Sequence, residues 1–176
     1  MRRLTASLLC VSVLSGCAGK APRNYPLPES RRLEAEPDLV WEAAVRVLAE
    51  RGYDIPRNDR AAGLIETDWR GINNDYTAGA FLTQNEDRYS DCGKPGLWTR
   101  HRGKQARVIV RLAPVGRGQT EVVVRTAFRT EHTSIWWQSS EVLECRSRGR
   151  LEEEILIETQ VRALTNQIQR SRRGWQ

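Results

Sequence analysis

The run VWEAAVRVLAERGYDIPRNDRAAGLIETDW, Val40–Trp69, carries two periodicities in succession. Asp38 precedes it as a candidate N-cap. Trp41, Ala44, Val45 and Leu48 recur at helical spacing, and Gly52 is placed to stop the helix. After Tyr53–Ile55, the polar stretch NDRAAG reads as a turn into a strand whose Ile65, Thr67 and Trp69 share one face, because side chains alternate along a strand. Trp41 and Trp69 are therefore both expected on core faces.

Downstream, ARVIVRL sets Val108, Val110 and Leu112 to one side, and EVVVRTAFR does the same with Val122, Val124, Thr126 and Phe128. PVGRGQT between them reads as a glycine-rich hairpin turn. The opposite faces carry Arg107, Arg111, Arg125 and Arg129 around Ile109 and Val123, a basic stripe that either meets lipid phosphates or an acidic partner, or is solvated. A last helix runs from Arg150 to Arg170 with Ile157, Val161, Leu164 and Ile168 on the expected packing stripe, while Leu151 and Ile155 lie off it. Glu152–Glu154 suit its N-terminal turn, and Arg170, Arg172 and Arg173 its C-terminal end. Residues 71–105 form a long excursion without assigned structure, apart from a short element expected around Ala78–Thr83; loops beyond roughly 15 residues are uncommon in compact domains.

Upstream, Arg2 and Arg3, the apolar run Leu4–Leu14 and small residues before Cys17 have the layout of a secretory signal. The run is too short to span a bilayer, which takes roughly 20 apolar residues. Leu14-Ser15-Gly16-Cys17 resembles the lipobox of bacterial lipoproteins. That resemblance implies cleavage before Cys17, acylation of its sulfur, and, with Ala18 rather than Asp next, an outer-membrane address. Two or more acyl chains anchor stably where one is marginal. Cleavage would remove residues 1–16 of 176 and leave 160, room for one domain. Losing Arg2 and Arg3 from 28 basic residues leaves 26 against 22 acidic ones, a mild surplus of four. It is compatible with anionic lipid or lipopolysaccharide, and no Lys/Arg block of nucleic-acid type accompanies it. Residues 17–37, rich in proline, read as an extended tether reaching tens of ångströms. The domain is expected over 38–171, with a tail at 172–176.

Chemistry of the usual catalytic kinds is not legible. The chain has two histidines, His101 and His132, both expected in loops, and no GxSxG, HExxH or phosphate-binding glycine pattern. Cys92, His101, His132 and Cys145 are zinc-ligand types, but no pair has the short spacing of a preorganised site, so neither metal nor cofactor is expected. With Cys10 in the signal and Cys17 acylated, Cys92 and Cys145 remain for one disulfide in an oxidising periplasm, or for two free thiols. A bridge would close a loop long enough to stabilise by on the order of 4 kcal/mol. Ile135, Trp136 and Trp137 form an apolar cluster in polar surroundings that either closes the core or makes an interface.

Residues 38–69 are also similar to the domain repeat of the β-barrel assembly lipoprotein C family, in which a helix beginning near Val-Trp leads through a G-Y/F-x-I strand into D-x-x-x-G-x-I-x-T-x-W. Trp41, Gly52, Tyr53, Asp59, Gly63, Ile65, Thr67 and Trp69 are the matching positions. The resemblance implies an α+β helix-grip-like fold: a twisted antiparallel sheet with two main helices on one face, binding proteins rather than catalysing. This chain has room for one such domain and adds the Cys92/Cys145 pair. The expected function is that of a non-enzymatic, lipid-anchored outer-membrane protein, accessory to outer-membrane assembly, with an envelope protein as partner. A carrier of lipid or another amphipathic ligand, with a groove between sheet and helix, is the alternative, and a glycan-processing enzyme the third reading.

Overall fold

The computed structural model describes residues 20–28, 30–72, 88–95, 99–134 and 139–173. The signal segment, Cys17, the Ala78–Thr83 stretch and the Trp136/Trp137 pair lie outside the described residues. The order of elements is β1 (Arg31–Leu33), α1 (Pro37–Glu50), β2 (Arg57–Asp59), β3 (Leu64–Glu66), β4 (Arg70–Gly71), β5 (Ser90–Asp91), β6 (Thr99–Gly116), β7 (Gln119–Ser134), β8 (Ser140–Ser147) and α2 (Arg150–Arg173). The fold is α+β, an antiparallel sheet in the order β2-β3-β6-β7-β8-β5, with β4 added on β6 and β1 on β7.

The β6–β7 hairpin is the spine. It is longer than its apolar core suggested: β6 begins at Thr99, so residues 99–105 of the expected loop are strand, and Ser90–Asp91 is a further strand within it. Beyond the apolar alternation, the polar ends of β6 and β7 hold each other through ladder pairs from Thr99–Ser134 to Arg102–Glu131. His101 and His132 face each other across that ladder, so neither is a loop residue. β8 has no apolar alternation to announce it; its partners on β7, Phe128 to Thr133, leave the edge at Thr120–Val122 for β1.

One sheet face carries Ala106, Val108, Val110, Val122 and Val124, which pack with Val40, Val47 and Leu48 of α1 and Ile155 and Leu156 of α2. Burying each such aliphatic side chain contributes about 1.5–3 kcal/mol. The first helix begins with Pro37 at its start and Glu36 as N-cap, without a side-chain cap bond, so Asp38 is not the cap; it stands in the first turn. Gly63 is required twice over, by its φ of +61° and because a Cβ would lie 2.1 Å from the Leu112 carbonyl oxygen.

Trp69 departs from expectation. β3 pairs Glu66 with Ile109, whereas β4 pairs Arg70 with Ala106. Four steps on one strand thus span three on the other, an extra residue that reverses which side chains face inward. Thr67 remains inside, its hydroxyl accepting the Val108 amide at 2.9 Å, but Trp69 emerges on the outer face among the arginines.

The N-terminal stretch also differs. From Lys20 onward it is laid on the domain rather than extended away from it: Lys20 bridges to Lys94, β1 joins the sheet, and the Ala35 carbonyl accepts the buried Thr120 hydroxyl at 2.9 Å.

Candidate interaction surfaces

The outer sheet face collects all four predicted arginines, but most are occupied within the domain. The Arg129 guanidinium lies 4.1 Å and that of Arg107 5.6 Å from the Trp69 ring centroid. Arg129 also donates to Gln105 at 2.7 Å, and Arg107 pairs with Glu66 at 3.2 Å. Arg125 donates to the Pro28 carbonyl at 2.9 Å. Arg111 is exposed and forms no ion pair among the described residues. The stripe is therefore largely a clamp that holds Trp69 and the N-terminal segment, with one arginine left to solvent. A groove of about 410 Å³ runs beside it, lined by Tyr25, Leu27, Trp69, Arg107 and Glu144 among others.

The outward side of α2 is the second surface. Ile157, Val161, Leu164 and Ile168, expected to pack on the core, are 45%, 60%, 36% and 56% exposed. The inward side is instead Leu151, Glu152, Ile155, Leu156, Thr159 and Ala163. Two residues, about 200° of helix, separate Ile155 from Ile157, so one helix carries apolar stripes on opposite sides. Only one can meet the sheet. The buried side is fastened by charge at its margins: Arg162 forms two 2.6 Å bonds to Glu50, which hold the Glu50 carboxyl below its usual range. Arg51 reaches Glu158 at 2.6 Å and Glu154 at 3.3 Å. Glu154 further accepts from Arg88 and Tyr89. Glu152 is buried outright, accepting from Thr126 at 2.5 Å and Ser147 at 2.7 Å. The exposed stripe opens into a groove of about 470 Å³ between Glu34 and the Leu164–Arg172 stretch.

The third surface is the corner where chain entry, β5 and β8 meet. Cys92 and Cys145 are joined by a disulfide, which ties this corner across 53 residues of sequence and removes both sulfurs from metal chemistry. Asp91 accepts from the amides of Gly93 at 2.8 Å and Arg23 at 3.2 Å and from the Tyr25 hydroxyl at 2.9 Å. Burial alone would raise its carboxyl, but these bonds and the Arg148 charge hold it below its usual range. The Tyr25 phenol is shifted up, chiefly by its bond to Asp91.

Between sheet and helices, Val108, Val110, Val124, Leu48, Ile155 and Leu156 are each at most 1% exposed, so side chains fill the interval in which a ligand carrier would need its groove. A further groove of about 780 Å³ lies outside that interval, lined by Trp41, Arg46, Arg60 and Arg170 among others. The two histidine rings stand 5.2 Å apart, and neither lines any of these three grooves. Among the described residues no group of three His, Cys, Asp or Glu side chains is placed to hold a metal ion, and no helix is long and apolar enough to cross a membrane. No model of a protein family matches the chain, and no curated protein matches it significantly.

Proposed function

We propose that this chain is a non-enzymatic outer-membrane lipoprotein, anchored through acyl chains on Cys17, whose periplasmic domain binds another envelope protein through the outward side of α2. The observation that carries the reading is the solvent-exposed row Ile157, Val161, Leu164 and Ile168. Its spacing of four, three and four residues is the seam of a helix that packs against a second helix. Among the described residues the core takes the opposite side of the helix and leaves that row exposed. The stripe is flanked by Glu153, Glu158, Gln160, Thr165 and Gln167, which form the polar margin of an apolar contact.

A photo-reactive side chain at Val161 in the acylated protein in its own membrane tests this. The expected result is one reproducible protein adduct, lost on Leu164→Glu while the circular dichroism of the purified variant is unchanged. Absence of any adduct at Val161 and at Ile168 overturns the reading, and an adduct between two copies of the chain replaces the heterologous partner with a homodimer.

A further inference from the structure

The segment after Cys17 is too short to act as a spacer once its docking is taken into account. Lys20 and Lys94 exchange both main-chain bonds, at 2.9 and 2.8 Å. Gly93 permits this close approach: at its φ of +76° a Cβ would stand 2.1 Å from the Lys20 carbonyl oxygen. Asp91 then takes the Arg23 amide and Tyr25 hydroxyl, the Arg148 guanidinium covers the Tyr25 ring at 4.9 Å, and Arg125 holds the Pro28 carbonyl. From Lys20 onward the chain belongs to the domain.

Three peptide units separate Cys17 from Lys20, and fully extended they reach at most about 11 Å. The headgroup layer on each side of a bilayer is itself roughly 5–8 Å deep. Resting on the lipoprotein reading above, we infer that the corner formed by Lys20, Arg23 and Lys94 lies directly on the membrane and contacts the phosphates of anionic lipids.

The chemistry of the corner supports this. The chain has three lysines; Lys104 is 6% exposed, whereas Lys20 and Lys94 are exposed and adjacent at the point of anchorage. Arg23 and Arg146 are exposed beside them. Of the carboxylates among the described residues there, Asp91 is committed to internal donors, and Glu144 on β8 is exposed as an opposing charge. Each basic side chain held near an anionic surface strengthens binding roughly fivefold. The arrangement also orients the domain. Cys145 is level with Phe128 on β7, and β7 meets the β6–β7 turn at Gln119, about 30 Å away along the strand at 3.3 Å per residue.

Lysine reactivity reads this directly. The full acylated chain carrying Arg117→Lys as a reference in the far turn is added to preformed phosphatidylethanolamine–phosphatidylglycerol vesicles, pulsed with an amine-acylating reagent and mapped by mass spectrometry. Lys20 and Lys94 should react roughly fivefold or more slowly than the reference, and high salt or replacement of phosphatidylglycerol by phosphatidylcholine should reduce that ratio. Equal rates at all three positions on an acylated chain overturn the inference and leave the lipoprotein reading intact. Protection indifferent to lipid charge and salt overturns the phosphate contact. The same spectra contain the N-terminal peptide, so an unmodified Cys17 identifies failure of the anchor reading itself.

Discussion

Each of two opposite sides of α2 carries an apolar row, and the two rows differ in fate. Ile155 and Leu156 are sealed against the sheet, while Ile157 and Val161 stand in solvent. The difference lies in what surrounds each stripe. The inward one is continued by small or hydrogen-bonded residues, Thr159, Ala163 and Glu152, that let the helix sit close to β7 and α1. The outward one consists of the bulkier aliphatics at regular spacing, which makes it the more conspicuous in a sequence and the less used in the fold. A conspicuous apolar stripe is thus evidence of a packing partner, but the partner need not be the helix's own core.

Substitutions sharpen that contrast, beginning with the inward side. Ile155→Ala leaves a cavity in a fully buried site and should cost about 2–5 kcal/mol in urea unfolding of the domain. Next in size, Glu152→Ala removes the buried acceptor shared by the half-buried hydroxyls of Thr126 and Ser147 and should lose about 1–3 kcal/mol, with Glu152→Gln recovering part of it because the amide oxygen still accepts. If Glu152→Ala is neutral, the polar part of the inward face does not hold the helix. On the outward side, Val161→Ala should stay within about 0.5 kcal/mol of the parent; a loss as large as that of Ile155→Ala would show that the outward stripe is buried in the free protein.

Acid separates the regions differently. The Asp91 carboxyl titrates below its unfolded value, so its contribution is complete above the ordinary carboxylate range and is lost as pH falls through its lowered folded value. Hydrogen exchange, corrected for intrinsic rate, should therefore show the amides of Arg23 and Gly93 opening on acidification while those of Ile155 and Leu156 remain protected. Simultaneous opening of both would mean that the N-terminal segment and the helical core form one cooperative unit.

Much of the architecture was legible from residues alone. Val108 to Leu112 and Val122 to Phe128 announce paired strands by alternation, the Trp41–Leu48 spacing announces the first helix, and reading Cys10 as signal and Cys17 as anchor leaves Cys92 and Cys145 either to pair, as they do, or to stay free thiols. The polar ends of β6 and β7 and the whole of β8 did not show, because in those stretches ladder bonds between Thr, Arg, His and Glu residues replace an apolar pattern. Trp69 changed faces for a reason periodicity cannot contain: one surplus residue opposite β6 reverses the alternation after Thr67.

By itself, then, the sequence determined which segments are apolar on one side and where turns interrupt them, since these depend on local order and composition. Tertiary structure alone decided which of two opposite stripes on α2 is buried, that a proline-rich stretch lies along β8 and β7 instead of spanning distance, and that the basic stripe spends most of its charge on Trp69, Glu66, Gln105 and Pro28. Those outcomes follow from competition among distant groups for the same neighbours, and no local pattern records which contender wins.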